Sequence, residues 1–159
     1  MRKVEGFVCL VTSVHAKAFF GRNIHNGLKY YQNFESNGLV PFDFLLEAEL
    51  AQEELLQLRH TQSVTIHKIR MEMTENVTEF EQLKNKKNLA VVACLEDGVT
   101  LLGRRVTGKG HIGHIPGTIL ADSIYAVFRQ YSSALRTVEE VVRQGASNAL
   151  LTTFEIETC

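Results

Sequence analysis

The sequence predicts an α+β fold: a single mixed or mostly antiparallel sheet of about five strands, with helices packed on one face. The predicted elements run in the order β, loop, α, β, short α, β, β, α, α, β, and only the last strand follows a long helix in the manner of a parallel βαβ unit. An Asp-Gly pair joins two of the strands as a hairpin. The 159 residues are most simply one domain, residues 1–159.

The chain begins with a strand and a long loop. The segment "KVEGFVCLVTSV", residues 3–14, is rich in valine and phenylalanine and predicts a mostly buried strand. Residues 15–41 are rich in glycine, asparagine and aromatic side chains, and they predict a loop with one short helix around residues 27–34. A loop of this length is more often functional or flexible than idle.

A long helix and a second long strand come next. Asp43 is placed to cap a helix over about residues 44–60. In "SVTIHKIRMEM", residues 63–73, the apolar residues change phase midway, so we expect a bulge near His67 or Lys68 that returns both sets to one buried face. The broad apolar stripe predicted for the helix comprises Leu45, Leu46, Ala48, Leu55 and Leu58.

A short helix and the hairpin occupy the middle of the chain. Thr78 and Glu81 have the spacing of a capping box, which predicts a helix near residues 78–85. The hairpin strands are "LAVVACLE" and "VTLLGRRV", and Asp97-Gly98 between them predicts a two-residue type I′ turn.

Two helices and a strand complete the predicted fold. Thr137 and Glu140 suggest a capping box for the second helix, with Gly145 at its C-terminal end. The last strand is "ALLTTFEIE", residues 149–157. The first of the two helices, about four turns long, is indicated by the 3.6-residue spacing of Ile119, Leu120, Ile124, Val127, Phe128 and Tyr131.

Composition and charge are those of an ordinary globular protein, with 45% apolar and 22% charged residues. A net charge of −1 argues against a surface built as a whole to bind nucleic acid. The three cysteines, Cys9, Cys94 and Cys159, form no CxxC pair, which favours a reducing compartment, and we expect a cytoplasmic protein. No apolar run approaches the roughly 20 residues that a membrane span needs, so we expect no membrane partner.

The densest chemistry lies in "GKGHIGHIPGT", residues 108–118, between a predicted strand and a predicted helix. Its glycines have the spacing G-x-G-x-x-G, which lets backbone N–H groups approach a phosphate at a helix N-terminus. We expect a small anionic ligand, either a nucleotide or a phosphorylated or carboxylated metabolite, with His111 and His114 as catalytic candidates that donate a hydrogen bond or carry a proton. The ligand-binding candidates are Arg104, Arg105, Gly108, Lys109, Gly110, Gly113 and Thr118.

The tetrapeptide "HIGH", residues 111–114, together with the later "ADSIYAVFRQ", resembles the signature of class I aminoacyl-tRNA synthetases and related nucleotidyl transferases. The resemblance implies that His111 and His114 lie on ATP phosphates after the first strand of a Rossmann fold. In this chain only 45 residues follow His114, and no KMSKS-like segment occurs. A dinucleotide site would also need an acidic residue about 20 positions beyond its glycines, at the end of the next strand.

Other interpretations of the same residues stay open. His111 and His114 would bind a metal if the fold supplied a third ligand such as His25, His67 or Asp122, but no spacing identifies one, and the cofactor is unknown. The stretch would otherwise be a plain glycine-rich connection. If the sheet brings a second loop, residues 15–27, against residues 104–114, the two form one pocket whose apolar walls are Phe19, Phe20, Tyr30 and Tyr31; otherwise residues 15–27 are a surface loop held down by its aromatic side chains.

A different class of function is the alternative: a non-enzymatic regulatory or structural homo-oligomer in which the glycine-rich loops make subunit contacts. Whether the protein is an enzyme stays open at this point.

Overall fold

The fold is known from a computed structural model that describes residues 1–14, 17–22, 32–33, 40–94, 99–101, 118–119, 126–143 and 149–159. In this part of the chain a β-sheet carries two α-helices and a 3₁₀ helix, so the predicted α+β class is confirmed. Every strand pair in the described part is antiparallel. The parallel Rossmann sheet implied by the "HIGH" resemblance is therefore wrong.

Eight strands form the main sheet, in the order β3-β2-β1-β4-β9-β5-β6, and β10 also pairs with β4. Their bounds are β1 Arg2–Ser13, β2 Lys17–Gly21, β3 Gln32–Asn33, β4 Thr61–Met73, β5 Leu89–Cys94, β6 Val99–Leu101, β9 Ala149–Thr153 and β10 Glu155–Thr158. A separate two-stranded pair consists of β7, Thr118–Ile119, and β8, Ala126–Val127. The helices are α1, Leu45–Leu56, the 3₁₀ helix Val77–Leu83, and α2, Tyr131–Arg143.

The long antiparallel pair of β1 and β4 lies at the centre of the sheet. Its register runs without interruption from Arg2 opposite Met73 to Thr12 opposite Ser63. The bulge predicted near His67 or Lys68 is therefore wrong. Because alternate residues of a strand point to opposite sides of a sheet, the two apolar sets of β4 face different cores. One set is Val64 and Ile66, and the other is Ile69, Met71 and Met73.

Both α-helices lie on the side of the sheet toward which Ile66 points, which we call the helix face. Met73 pairs with Thr152, which pairs with Ala90, so these three share the opposite face. Their strand neighbours Leu151 and Val91 consequently point to the helix face, where they pack in the core cluster of α2. The prediction that helices pack on one face is confirmed.

The core consists of three clusters. Under α1 lie Cys9, Val11, Phe42, Ala48, Ala51, Leu55, Val64 and Ile66. Around α2 and the 3₁₀ helix lie Phe80, Leu83, Leu89, Val91, Phe128, Ala134, Val138, Val141, Ala149 and Leu151. On the opposite face lie Val8, Phe19, Ile69, Met71, Met73, Ala90, Val92, Val127 and Phe154. Burial on both faces explains why β1 and β4 carry apolar residues in both phases.

Helix α1 forms where it was predicted, but its ends differ. Its N-cap is Phe44, whose N–H donates to the Glu47 carboxylate at 3.2 Å, while Asp43 instead forms an ion pair with Arg22. The helix ends at Leu56, four residues before the predicted end. A turn follows, in which His60 has a φ of 70° and its carbonyl oxygen accepts a bond from Val14.

The short helix near residue 80 is also present, as a 3₁₀ helix. The predicted capping box of Thr78 and Glu81 is wrong, because the cap is Asn76, whose side chain accepts the Thr78 N–H at 3.1 Å. A capping signature identifies the start of a helix only to within a few residues when several polar side chains compete for the same N–H groups.

The helix predicted over residues 119–131 is wrong at Ile119 and at Ala126–Val127, which are strands, while residues 120–125 lie outside the described residues. Thr118–Ile119 pairs with Ala126–Val127 as two short strands, and Phe128 exchanges two backbone hydrogen bonds with Leu89, at 2.9 and 2.7 Å. Three of the four paired residues are not good helix formers, since Thr, Ile and Val favour strands.

The true helix in this region, α2, begins at Tyr131. The predicted capping box of Thr137 and Glu140 is wrong, because both lie inside the helix and the Thr137 hydroxyl donates to the Ser133 carbonyl at 3.0 Å. Gly145, the predicted C-terminal glycine, lies outside the described residues.

The remaining strands agree in part with the prediction. Lys17–Gly21, expected as loop, is a strand paired with β1. Gln32–Asn33 is a strand paired with β2, and the other residues of the short helix expected around residues 27–34 lie outside the described residues. The β5–β6 hairpin is confirmed, but Cys94 lies opposite Val99, which leaves four residues in the connection rather than two. The last strand is confirmed and is divided at Phe154 into β9 and β10.

Gly6 gives a direct test of this arrangement. A Cβ atom on Gly6 would lie 2.5 Å from the Phe42 carbonyl oxygen and 2.6 Å from the Pro41 Cβ, and backbone bonds between Phe7 and Phe42 hold that segment in place. We expect Gly6→Ala to lower the free energy of unfolding by about 1–3 kcal/mol, measured by urea denaturation. Lys3→Ala, exposed on the same strand, is the control. Equal stability of the two variants would contradict the close approach.

Candidate functional site

Most of the predicted anion site lies outside the described residues: Arg104, Arg105, Gly108, Lys109, Gly110, His111, Gly113 and His114. The structure describes the backbone of one member, Thr118. It begins β7 and pairs with Val127, so the helix N-terminus expected there is wrong. Binding of an anion by this stretch stays a prediction.

The second predicted loop is described only at Lys17–Gly21 and Arg22, while His15, His25, Tyr30 and Tyr31 lie outside the described residues. Phe19 and Phe20 were expected as pocket walls. Phe19 is instead 2% exposed in the opposite-face cluster, and Phe20 packs against the cluster under α1. Both rings therefore pack in the hydrophobic core instead of lining a pocket.

His67, one of the residues considered as a third metal ligand, lies on β4 between two threonines. Its Nε2 is 2.9 Å from the Thr65 hydroxyl and its Nδ1 is 3.4 Å from the Thr158 hydroxyl. Partial burial lowers the pKa of His67. Among the described residues, His, Cys, Asp and Glu side chains nowhere gather in a group of three that would hold a metal ion.

Two cysteine environments are described. Cys9 is fully buried, its thiol donates to the Ala48 carbonyl oxygen at 3.4 Å, and burial raises the pKa of the thiol to about 12. Cys9 is therefore packed as a small core residue. Cys159 is exposed, and the Cys94 side chain lies outside what the structure describes.

A charged groove lies where β1 and β4 meet the junction of β9 and β10. Glu5 on β1 lies 3.4 Å from Lys68 and 3.3 Å from Arg70, and its pKa is lowered by the hydrogen bond to Lys68 and by the charges of both cations. The groove encloses about 390 Å³ and is lined by Lys3, Val4, Glu5, Arg70, Met71, Glu72, Lys86, Thr153 and Glu155. Its cations and carboxylates neutralise one another, so it favours neither an anion nor a cation.

The outer side of α1 is the most unusual surface of the described structure. Ten large apolar residues are exposed in the described part of the chain, and six of them fall within residues 44–58. We call these six the α1 surface; they are Phe44 (68% exposed), Leu45 (42%), Leu46 (66%), Leu50 (43%), Leu56 (48%) and Leu58 (45%). Single exposed leucines are ordinary, whereas several large apolar side chains exposed on one short segment are unusual.

The rotation of α1 on the sheet explains the exposure. The helix is held by two bonds, from the Cys9 thiol to the Ala48 carbonyl and from the Gln52 amide to the Val64 carbonyl at 2.7 Å. Its inner side therefore consists of Ala48, Ala51 and Leu55, all 0% exposed. Small inner residues let the helix approach the sheet closely and leave most of its leucines outside.

The exposed leucines form two rows along the helix. Leu46 and Leu50 are four residues apart and lie on one line, while Leu45 and Leu56 share a second line, since eleven residues make almost three full turns. The predicted stripe is thus wrong for Leu45, Leu46 and Leu58, and only its Ala48 and Leu55 are buried. The signal in the sequence was an excess of leucine, more than one side of a helix can bury.

The α1 surface is also acidic. Residues 43–58 contain Asp43, Glu47, Glu49, Glu53 and Glu54 and no lysine, arginine or histidine. Glu49, Glu53 and Glu54 are exposed beside the leucines. Apolar side chains framed by carboxylates can bind a ligand that is both apolar and cationic.

Comparisons with protein-family models, with curated proteins and with solved structures give no match. Among the described helices, none has both the length and the apolar character that crossing a bilayer requires. The candidate site therefore rests on the geometry of α1 itself.

Adjacent leucines of α1 test this geometry. Leu55 is 0% exposed and Leu56 is 48% exposed. We expect Leu55→Ala to lower the free energy of unfolding by about 2–5 kcal/mol, because it leaves a cavity under the helix. The matched variant Leu56→Ala should change it by no more than about 0.5 kcal/mol in chemical denaturation. Similar losses for both variants would contradict the orientation of α1.

Proposed function

We propose that this protein is an interaction domain that binds another protein through the α1 surface. The observation that carries the proposal is the outward clustering of Phe44, Leu46 and Leu50 with their three apolar neighbours on one short segment. Large apolar clusters on an otherwise polar surface are typical of sites that another molecule covers.

The energy available at this surface indicates reversible binding. Burying one exposed leucine or phenylalanine completely contributes about 1.5–3 kcal/mol, and these side chains are already about half covered. The six together then contribute on the order of 5–9 kcal/mol, which offsets only the lower part of the roughly 4–15 kcal/mol that association costs. We therefore expect a partner that binds and dissociates, rather than an obligate assembly.

Site-specific photocrosslinking in the cells that express the protein tests the proposal. A photoreactive amino acid at position 46 or 50 should yield a discrete adduct with another protein, identified by mass spectrometry and reconstituted from purified components. The control position is Val142, which is 50% exposed on α2. In the reconstituted complex, Leu46→Glu/Leu50→Glu should weaken binding by at least about tenfold. Identical adducts from position 142, or unchanged affinity of the double variant, would refute the proposal.

Binding of a small anion is a second candidate function, compatible with the first. It is favoured by the sequence of residues 104–114, in which Arg104, Arg105 and Lys109 accompany three glycines. Backbone N–H groups beside such cations suit phosphate or carboxylate groups. The homo-oligomer formed through the glycine-rich loops stays a prediction that light scattering would decide.

A thermal-shift screen tests anion binding. Phosphate, nucleotides or phosphate esters that bind the folded state should raise the melting temperature, with a shift that grows with ligand concentration. The double variant Lys109→Ala/His111→Ala should lose the shift while keeping its ligand-free melting temperature. An equal shift in this variant and in the wild type would show that the ligand binds somewhere other than residues 104–114, which would refute this candidate site.

A further inference from the structure

We infer that the segment docking on the α1 surface is a basic amphipathic helix of the partner protein. This inference rests on the proposed function and adds the chemistry of the partner. It follows from the charges around the exposed leucines and from their arrangement in rows.

The carboxylates are placed among the leucines, where a docked helix would meet them. Glu49 and Glu53 are four residues apart, so they lie on one line of the helix, between the row of Leu46 and Leu50 and the row of Leu45 and Leu56. A docked helix that covers the leucines brings its own flanking side chains to these carboxylates. Lysine or arginine there gains ion pairs, whereas glutamate is repelled.

The stability of α1 does not account for all of these charges. Glu53 and Glu54 lie in the last turn of the helix, where the helix dipole disfavours carboxylates by a few tenths of a kcal/mol or more. No basic residue occupies that turn to compensate. A cationic partner would compensate both charges on binding.

The same charges disfavour two other occupants. A second copy of the chain, packed symmetrically through α1, would place the exposed carboxylates of Glu49, Glu53 and Glu54 against an identical set. An anionic lipid surface would repel them as well, since membrane binding of this kind uses lysine and arginine. Both occupants are outcomes of the experiment below.

The length of α1 sets the length of the partner segment. Twelve residues span about 18 Å, so a helix of about 14 residues with leucines at i, i+3 or i+4, and i+7 covers both rows.

The experiment uses three fluorescent synthetic peptides of about 14 residues with one leucine pattern and with lysine, glutamine or glutamate at every polar position. Fluorescence anisotropy measures their binding to the full chain at low and at physiological salt. We expect the lysine peptide to bind at least about tenfold more tightly than the glutamate peptide, with the difference shrinking as salt rises.

Two double variants and one control separate the contribution of the leucines to peptide binding from that of the carboxylates. Leu46→Gln/Leu50→Gln should weaken binding of the lysine peptide about tenfold or more, and Glu49→Gln/Glu53→Gln should weaken it several-fold and reduce its salt dependence. Val142→Gln, on α2, should leave the affinity unchanged. Far-UV circular dichroism and thermal melts establish that each variant is folded.

The experiment distinguishes failure of the basic-partner inference from failure of the proposed interaction function. If all three peptides bind equally and Leu46→Gln/Leu50→Gln still abolishes binding, the basic character of the partner is refuted and the interaction function stands. If Leu46→Gln/Leu50→Gln binds like the wild type, both are refuted. Concentration-dependent dimerisation that this variant abolishes, or binding to phosphatidylserine vesicles that it abolishes, would assign the surface to a second copy or to a membrane and overturn the inference.

Discussion

The uninterrupted antiparallel pairing of β1 with β4 is the constraint on which the rest of the structure depends. Because the register contains no bulge between Arg2 and Thr12, each side chain of both strands is committed to one face. Cys9, Val11, Val64 and Ile66 then form an apolar seat on the helix face, and Ile69 and Met71 face the opposite core. A shift of one residue would exchange these two sets and remove the seat of α1.

The apolar residues of β1 and β4 under α1 in turn determine which side of the helix is buried and which side is exposed to solvent. The helix reaches the sheet through Ala48, Ala51 and Leu55, so its other leucines have no described neighbour that buries them. Carboxylates occupy the positions between those leucines. The result is a helix that is apolar on two sides, of which the inner side packs in the core and the outer side is exposed.

The sequence predicted the helices and strands better than it predicted which of their faces are buried. The fold class, α1, β1, β4, the β5–β6 hairpin and the last strand were evident from apolar spacing and length. Spacing alone could not tell whether the two phases of β4 faced one core or two, because that depends on what covers each side of the sheet. Apolar spacing also assigned Leu46 to the core, which is wrong. The side of α1 that faces the sheet is fixed by two contacts between residues distant in sequence, Cys9 with Ala48 and Gln52 with Val64, and helical spacing does not show such contacts. Of the candidate anion site, only the backbone at Thr118 is described, and there a strand replaces the expected helix start.

Thiol accessibility tests the central claim, that the outer leucines of α1 face solvent, most directly. Leu46→Cys, Leu50→Cys and Leu55→Cys would each be placed in a background with Cys94→Ser and Cys159→Ser, leaving Cys9 buried with a pKa of about 12. Maleimide labelling followed by intact mass should modify positions 46 and 50 at the rate of a free peptide thiol, and position 55 at least about 100-fold more slowly, through opening of the structure. Protection of position 46 equal to that of position 55 would contradict the account.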